Sequence, residues 1–207
     1  MIFQRPLFKI ICWLLLSIWV TPAYSIAYCA LRDPVTKIYA LFPEATSYKS
    51  IVHMIDAETQ DQVSLKAQFS LHKDELGQHT LYIAMKDKEP LGIIHSRSEA
   101  GLWGLIEIVW GFDFDMNVVD FTFQRCRETS CPLLMTSSFR SLIKGKSSSE
   151  LRAMLDDDKI VYPPNVAGNK DAEALATTLI RSAIKTALVT EISWRDDLDA
   201  FSNMHIQ

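Results

Sequence analysis

Four strand-like segments between His79 and Arg127 constrain the fold of this chain more than any other feature. Each segment is short, contains β-branched or aromatic residues and ends at a turn signal, as is typical of an antiparallel β-meander. The segments are HTLYIAMK, LGIIHSRS, GLWGLIEIVWGFDFD and VVDFTFQRCR. We therefore expect an α+β fold in which helices cover a meander of about four strands.

The segments that flank the meander predict its cover. Asn169 caps the longest helix, in which apolar residues recur at helical spacing from Ala172 to Leu188. This amphipathic helix is long enough to lie across one face of the sheet. The other predicted elements are a helix opened by Asp33-Pro34 and ended by Pro43, a strand over 48–55, a helix capped by Asp56, a short helix from Ser138 to Leu142, and a helix opened by a capping box of Ser147 and Glu150.

The turn between the first two strands of the meander decides which side chains share a face. A turn over Asp87–Pro90 pairs Tyr82 with His95 in the opposite strand. One face then carries Leu81, Ile83, Met85 and Ile94. The other carries Thr80, Tyr82, His95 and Arg97.

The composition is that of one globular domain. The chain has 207 residues, of which 48% are apolar and 22% charged, with a net charge of −4. Because basic and acidic side chains nearly balance, no broad cationic field is available to a nucleic acid, and we expect no nucleic-acid partner.

The N-terminus predicts export. Arg5 and Lys9 precede an apolar run over residues 10–20, and small residues follow Pro22. A basic start, a short apolar centre and a small-residue exit form a secretory signal peptide. The run is shorter than the roughly 20 residues of a membrane span, so cleavage is favoured over an anchor at residues 10–20. We expect a signal peptide over 1–27, one domain over 28–192, a loose polar tail over 193–207, and a periplasmic or secreted location.

The cysteines fit an oxidising compartment. Cys12 leaves with the signal peptide, which leaves Cys29, Cys126 and Cys131. An odd number demands a free thiol or a bond to another chain. We favour a local disulfide between Cys126 and Cys131, with Cys29 buried.

Motifs of catalytic or metal-binding chemistry are weak. The turn from Asp113 to Asn117 begins like a calcium loop but lacks the glycine and glutamate that such a loop needs, so it predicts a polar hairpin turn. The histidine spacing does not favour a zinc site. An acid–base site remains as a hypothesis, built from His95, Arg97 and Glu107 on the expected sheet register.

A basic cluster is the other candidate for binding. Four cations lie around the end of the sheet in the sequence and would hold a phosphate through charge-assisted hydrogen bonds. From this observation alone, a solvated basic edge is favoured over a phosphate site. They are Arg125, Arg127, Lys144 and Lys146.

Three motifs, taken in order, carry a resemblance to a known family. The hairpin VWGFDFDMNVVDFTFQ has an acidic turn and is followed by Glu128-Thr129. The segment SFRSLIKGK has the pattern Phe-x-x-x-x-x-Gly-Lys, and the long helix opens with Asp171 to Thr177. Together the three resemble the FMN-binding domain family of bacterial membrane electron-transfer complexes, whose flavinylation motif has the spacing of Asp171 to Thr177.

The resemblance implies a function and a set of binding residues. In flavinylated members the last threonine of the motif is esterified to the FMN phosphate, which corresponds here to Thr177. Ala174 and Leu175 stand where the family has Ser and Gly. We therefore expect FMN to be held without a covalent bond if it is held at all, with a membrane redox partner. Trp103 or Trp110 would stack on the flavin ring. The implied binding residues are Thr177, Thr178, Asp171, Glu128, Thr129, Arg127 and Lys146.

A second function remains open beside the first. The chain would be a secreted structural or interaction module that kept the scaffold and lost the flavin. The missing Ser-Gly pair favours this alternative.

Overall fold

The computed structural model describes residues 33–156 and 160–205, and we label the elements in chain order. The predicted signal peptide, Cys12 and Cys29 lie outside these residues. The strands are β1 (Ser47–Ile55), β2 (Gly77–Lys86), β3 (Glu89–Gly101), β4 (Gly104–Phe112) and β5 (Val118–Arg125). The helices are α1 (Val35–Leu41), α2 (Ala57–Ala67), α3 (Cys131–Leu134), α4 (Ser137–Ile143), α5 (Ser148–Asp156), α6 (Lys170–Ser193) and α7 (Arg195–His205), with a 3-10 turn at Lys73–Glu75.

The five strands form one antiparallel sheet in sequential order, β1-β2-β3-β4-β5. The expected α+β class is confirmed, and β1 adds a fifth strand to the meander. Short connections between consecutive strands favour this order because each strand pairs with its neighbour in the sequence.

The main core lies between one face of the sheet and the helices. Helix α6 runs across this face, as its apolar stripe predicts, and its buried residues pack on β3 and β4. Each buried aliphatic or aromatic side chain of this kind contributes roughly 1.5–3 kcal/mol to folding. The largest buried side chains in the main core include Trp110, Phe112, Phe121, Phe139 and Trp194.

A smaller apolar cluster lies on the opposite face of the sheet, under α1. Ile38, Leu41 and Phe42 pack there against Tyr82, Ala84, Ile94 and Val109. Gly92 permits this approach, because a Cβ atom at that position would lie 2.5 Å from the Phe42 ring. Asp33 does not cap α1 as expected: its Oδ1 accepts a 2.6 Å hydrogen bond from the Tyr82 hydroxyl, and Pro34 is the N-cap without a side-chain bond.

The register between β2 and β3 differs from the expected one. Lys86 pairs with Glu89 across a tighter turn, in which Asp87 has φ +56°, and the register shifts between Ala84 and Met85. Tyr82 therefore faces Ile94, and Leu81 faces His95. A one-residue shift exchanges the two faces of a strand. The expectation that Tyr82 shares a face with His95 and Arg97 is therefore wrong.

Local capping signals predict the helix starts correctly elsewhere. Asn169 Oδ1 accepts from the Ala172 amide at 3.2 Å, and Asp56 Oδ1 accepts from the Thr59 amide at 2.9 Å. The Ser147–Glu150 capping box also forms, with the Ser147 amide 2.8 Å from Glu150 Oε2. These caps depend only on residues three positions apart, which is why the sequence suffices to place them.

The expected loose tail is a helix in its described part. Residues Arg195–His205 form α7, and Leu198 and Phe201 are buried in the main core. The tail is polar on average, but its apolar residues fall on one helical face. Among the described residues, no helix has both the length and the apolar character that a membrane crossing requires.

Candidate functional site

Four ionisable side chains meet between the sheet and α6. Glu75 ends the 3-10 turn and is 2% exposed, and Arg97 on β3 is 0% exposed. Arg97 Nη2 bonds Glu75 Oε2, and Lys185 Nζ on α6 lies 3.1 Å from both Glu75 oxygens. Lys185 Nζ also lies 2.7 Å from Glu99 Oε2. We call Glu75, Arg97, Glu99 and Lys185 the buried charge cluster.

The cluster is electrically compensated. Burial acts to raise the pKa of Glu75, but the attraction of Arg97 and Lys185 outweighs burial and lowers it. The Glu75 carboxylate therefore stays charged between Arg97 and Lys185. Such a group is tolerated in a protein interior because each charge has a partner of opposite sign.

A series of hydrogen-bond contacts runs from this cluster across β2 and β3 to α6. His79 Nε2 lies 2.9 Å from the Glu75 carbonyl oxygen, so it carries the hydrogen of a neutral ring. His79 Nδ1 lies 3.3 Å from His95 Nε2, and His95 Nδ1 lies 2.8 Å from the Thr190 hydroxyl. Thr190 is in turn 2.7 Å from the carbonyl oxygen of Thr186. We call this series the histidine chain.

Both rings of the histidine chain are neutral at physiological pH. Burial, followed by repulsion from Arg97, lowers the pKa of His79 to about 4. The pKa of His95 lies well below its ordinary value, chiefly because the ring is buried. Electrostatic repulsion from His79 and Arg97 lowers the pKa further. A buried ring with so low a pKa is a poor general acid near pH 7. The acid–base hypothesis fails on geometry also, since Glu107 pairs with Ser98 and lies on the sheet face opposite Arg97.

An open cleft of about 310 Å³ lies above the charge cluster. Thr178, Arg181 and Lys185 line one side, because spacings of three and four place them on one face of α6. The Arg181 guanidinium lies 5.9 Å from the centre of the Phe69 ring on the other side. The complete lining is Phe69, Ser70, His72, Glu75, Glu99, Ala100, Thr178, Arg181 and Lys185.

Thr177 does not face this cleft. Its hydroxyl donates to the Glu173 carbonyl at 3.0 Å and lies 3.0 Å from the Tyr162 hydroxyl. Adjacent residues on a helix point about 100° apart, which is why Thr178 lines the cleft and Thr177 does not. Asp171 is exposed in the first turn of α6. Of the residues that the resemblance implies, only Thr178 lines the cleft.

The remaining implied residues lie at two ends of β5. Glu128 Oε1 accepts from the Trp103 amide at 3.0 Å, at the β3–β4 turn, and Arg127 and Thr129 are exposed beside it. The Lys146 carbonyl accepts from the Val118 amide, at the first residue of β5. An eight-residue strand is roughly 23 Å long, so these groups cannot contact one phosphate.

The basic cluster expected from the sequence is not assembled. Lys144 lies 2.9 Å from Asp120, and Arg125 lies 3.8 Å from Glu107. Both cations are thus paired with carboxylates near different parts of β5. The sequence places the cations close together in number, but an extended strand separates them in space.

The two tryptophans considered for ring stacking have opposite environments. Trp110 is 0% exposed, and its Nε1 donates to Ser182 at 3.2 Å inside the main core. A flavin cannot reach it without unfolding that core. Trp103 is 65% exposed at the β3–β4 turn.

Two further predictions concern the cysteines and the acidic turn. Cys126 and Cys131 form the expected disulfide, which joins the end of β5 to α3. Asp113 accepts from the Asn117 amide at 2.8 Å, so this carboxylate organises a hairpin turn. Within residues 33–156 and 160–205, no group of three or more His, Cys, Asp or Glu side chains has a geometry that could hold a metal ion.

Sequence reasoning missed most of the cleft. One signal in the sequence indicated the cleft. Ionisable residues recur at every second position of β3, at His95, Arg97 and Glu99, on the same face as the apolar Ile93. The contribution of Glu75 and Lys185 has no local signal, because they meet across 110 positions of the chain.

The comparisons with protein families and with curated proteins gave no match. The resemblance to the FMN-binding domain family therefore rests on its three motifs.

Proposed function

We propose that this chain is an exported, FMN-binding-like domain that serves electron transfer at a membrane and holds its flavin without a covalent bond. The observation that carries the proposal is the composition of the cleft on α6. Thr178 supplies a hydroxyl, Arg181 and Lys185 supply positive charge, and Phe69 supplies an aromatic face. These are the groups that a phosphate-bearing ring ligand needs.

The size of the cleft suits part of such a ligand. Its volume of about 310 Å³ is at the lower end of the range for small-molecule sites, roughly 300–1,000 Å³. We assign the phosphate to the Thr178–Arg181 side and leave the ring partly exposed to a partner. Bound FMN would supply the redox chemistry, whereas the chain would bind and orient it.

The state of Thr177 supports non-covalent binding. Both threonine hydroxyls donate to the carbonyl four residues earlier, but the Thr177 hydroxyl also lies against Tyr162, away from the cleft, whereas Thr178 lines it. An ester at the Thr177 oxygen would remove its hydrogen and place the phosphate on the wrong side of α6. The phosphate would therefore depend on Thr178 and Arg181, not on Thr177.

The visible absorption spectrum of the mature protein tests the proposal. The protein should be purified from the periplasm of a flavin-competent host and titrated with FMN while flavin fluorescence is followed. We expect flavin absorbance or saturable uptake, and acid precipitation should release all colour into the supernatant. Absence of both absorbance and uptake overturns the proposal, and colour that stays with the precipitate overturns non-covalent binding.

Two matched variants locate the site. Arg181→Glu reverses an exposed charge at the cleft and should weaken FMN binding at least about tenfold, because a charge-assisted phosphate contact is lost. Arg195→Glu makes the same change on α7, away from the cleft, and should leave binding unchanged. Thr177→Val should also leave it unchanged, whereas Thr178→Val should weaken it. Equal effects of Arg181→Glu and Arg195→Glu would contradict this location.

A second function has its own supporting observation. In the cleft floor, Glu75 and Glu99 offset Lys185 and the buried Arg97, so little net positive charge remains for a phosphate. This balance favours a structural or interaction module that has kept the scaffold without a flavin. A protein that is colourless, does not take up FMN and is fully folded would support this second function.

A further inference from the structure

The first strand of the sheet lies at its edge in the part of the chain that the structure describes. β1 pairs with β2 from Ser47 opposite Met85 to Ile55 opposite Gly77, and it ends the strand order of the sheet. Its second edge has no strand partner among the described residues. Val52 is 47% exposed and Met54 is 66% exposed on the face beyond α1. Nine residues make this a long strand for a sheet edge, where lengths near 5–6 residues are usual.

β1 lacks the features by which proteins usually protect an edge strand. Its register with β2 is continuous, without a bulge, and it contains no proline. Its single cation, Lys49, lies over the Phe201 ring at 5.3 Å and is thereby held against α7. A long, regular edge with exposed apolar residues is a template for pairing with another strand.

We propose that two copies of this chain associate through β1, antiparallel about Ile51, so that their sheets join into one continuous sheet. A two-fold axis at Ile51 places each residue opposite the one equally far on the other side of that axis. On the exposed face, Tyr48 meets Met54 and Ser50 meets Val52 of the second copy. On the helix-covered face, Lys49 meets His53.

The pattern of β1 is complementary to itself, which favours a second copy over another partner. Tyr48 of one copy lies opposite Met54 of the other, at both ends of the paired strands. Each exposed apolar side chain is therefore covered by one from the second copy. Cross-strand pairs of this kind stabilise the pairing of two strands. His53 Nε2 lies 3.1 Å from Asp197 Oδ2, so the Lys49 of a second copy would approach a carboxylate as well as the ring.

Sedimentation velocity over a concentration series tests the proposal. The full mature protein should pass from monomer to dimer between about 1 µM and 1 mM, because pairing of one strand makes a small interface. Val52→Lys places two ammonium groups diagonally across the two-fold axis and should weaken the dimer at least about tenfold. Leu65→Lys is the matched control, since Leu65 is an exposed residue of α2, and it should leave the dimer unchanged.

A cross-link gives a second, independent test. Directly opposed residues of antiparallel strands have Cα atoms about 4.5–5.5 Å apart, within the range that a disulfide spans. Ile51→Cys should therefore yield a covalent dimer on oxidation, beyond any formed by the unchanged protein through its own cysteines. Circular dichroism of each variant establishes that the fold is retained.

Several results would overturn the proposal. They are a monomer across the whole concentration range, a dimer weakened equally by Val52→Lys and Leu65→Lys, and a dimer that Ile51→Cys does not cross-link. Association with lipid vesicles by a protein that stays monomeric would assign the edge to a membrane and would equally overturn it.

Discussion

The two faces of the sheet are covered in different ways. The face under α6 buries the charge cluster and the histidine chain together with the largest aromatic side chains. The face under α1 buries an apolar cluster in which Tyr82 makes a hydrogen bond to Asp33. The buried charge cluster thus lies on the more extensively covered face, whereas the buried Glu107 lies on the other face and is paired with Arg125.

This difference shows that the two faces of the sheet contribute to the structure in different ways. Ion pairs in the interior contribute little net stability compared with well-packed apolar residues, but they cost much when one partner is lost. The face under α1 stabilises the fold mainly through its buried apolar area, whereas the buried charge cluster ties α6 to the 3-10 turn in one arrangement. The cleft opens above that arrangement, which places its lining residues on a rigid support.

The largest effect is expected from Glu75→Gln. This change leaves Arg97 and Lys185 buried with one carboxylate fewer and should lower the free energy of unfolding by about 3–5 kcal/mol. Urea denaturation measures it. Glu44→Gln is the control: Glu44 makes a 2.6 Å ion pair with Lys86 at the exposed turn, and its loss should not move the urea midpoint. Equal midpoints for both variants would show that the buried cluster is dispensable.

A somewhat smaller effect is expected from acid. The folded-state pKa of His79 is about 4, below its ordinary value of 6.5, so the folded state binds fewer protons than the unfolded state. The free energy of unfolding has its full value above pH 6.5. It decreases by roughly 3 kcal/mol as the pH falls towards 4, because the His79 ring of the unfolded state takes up a proton that the folded state does not.

The pH dependence can be assigned to the ring by substitution. His79→Gln should reduce the fall of unfolding free energy between pH 6.5 and 4.5, as followed by urea denaturation, and the fall that remains belongs to His95, whose pKa is also lowered. Glu75, whose pKa is lowered from 4.5, adds its own loss only below that value. An unchanged slope in the variant would contradict the assignment.

The smallest of the three effects is expected on the apolar face. Ile38→Ala removes a fully buried side chain between α1 and the sheet and should cost about 2–3 kcal/mol, at the low end for such changes, because α1 is short. The same urea series measures it, and the pH dependence of stability should remain that of the unchanged protein. A change in pH dependence would mean that the two faces are coupled through the sheet.

Local signals in the sequence predict much of the fold and little of the site. The caps at Asp56, Ser147 and Asn169 and the stripe of α6 each depend on residues within a few positions. The register shift between Ala84 and Met85 has no such local signal. Because of this shift, His95 and Arg97 lie on the face opposite the one expected from the sequence. The cleft requires Phe69, Glu99 and Arg181 from three separate elements, which only the tertiary structure brings together.

The histidine chain has too few hydrogens for its contacts. Its four links run from the Glu75 carbonyl through His79, His95 and Thr190 to the Thr186 carbonyl. Two neutral rings and one hydroxyl supply three hydrogens, so one link is always open. With the His79 hydrogen on Nε2, the open link is one of the other three, and it closes only when one more proton enters the pair of rings.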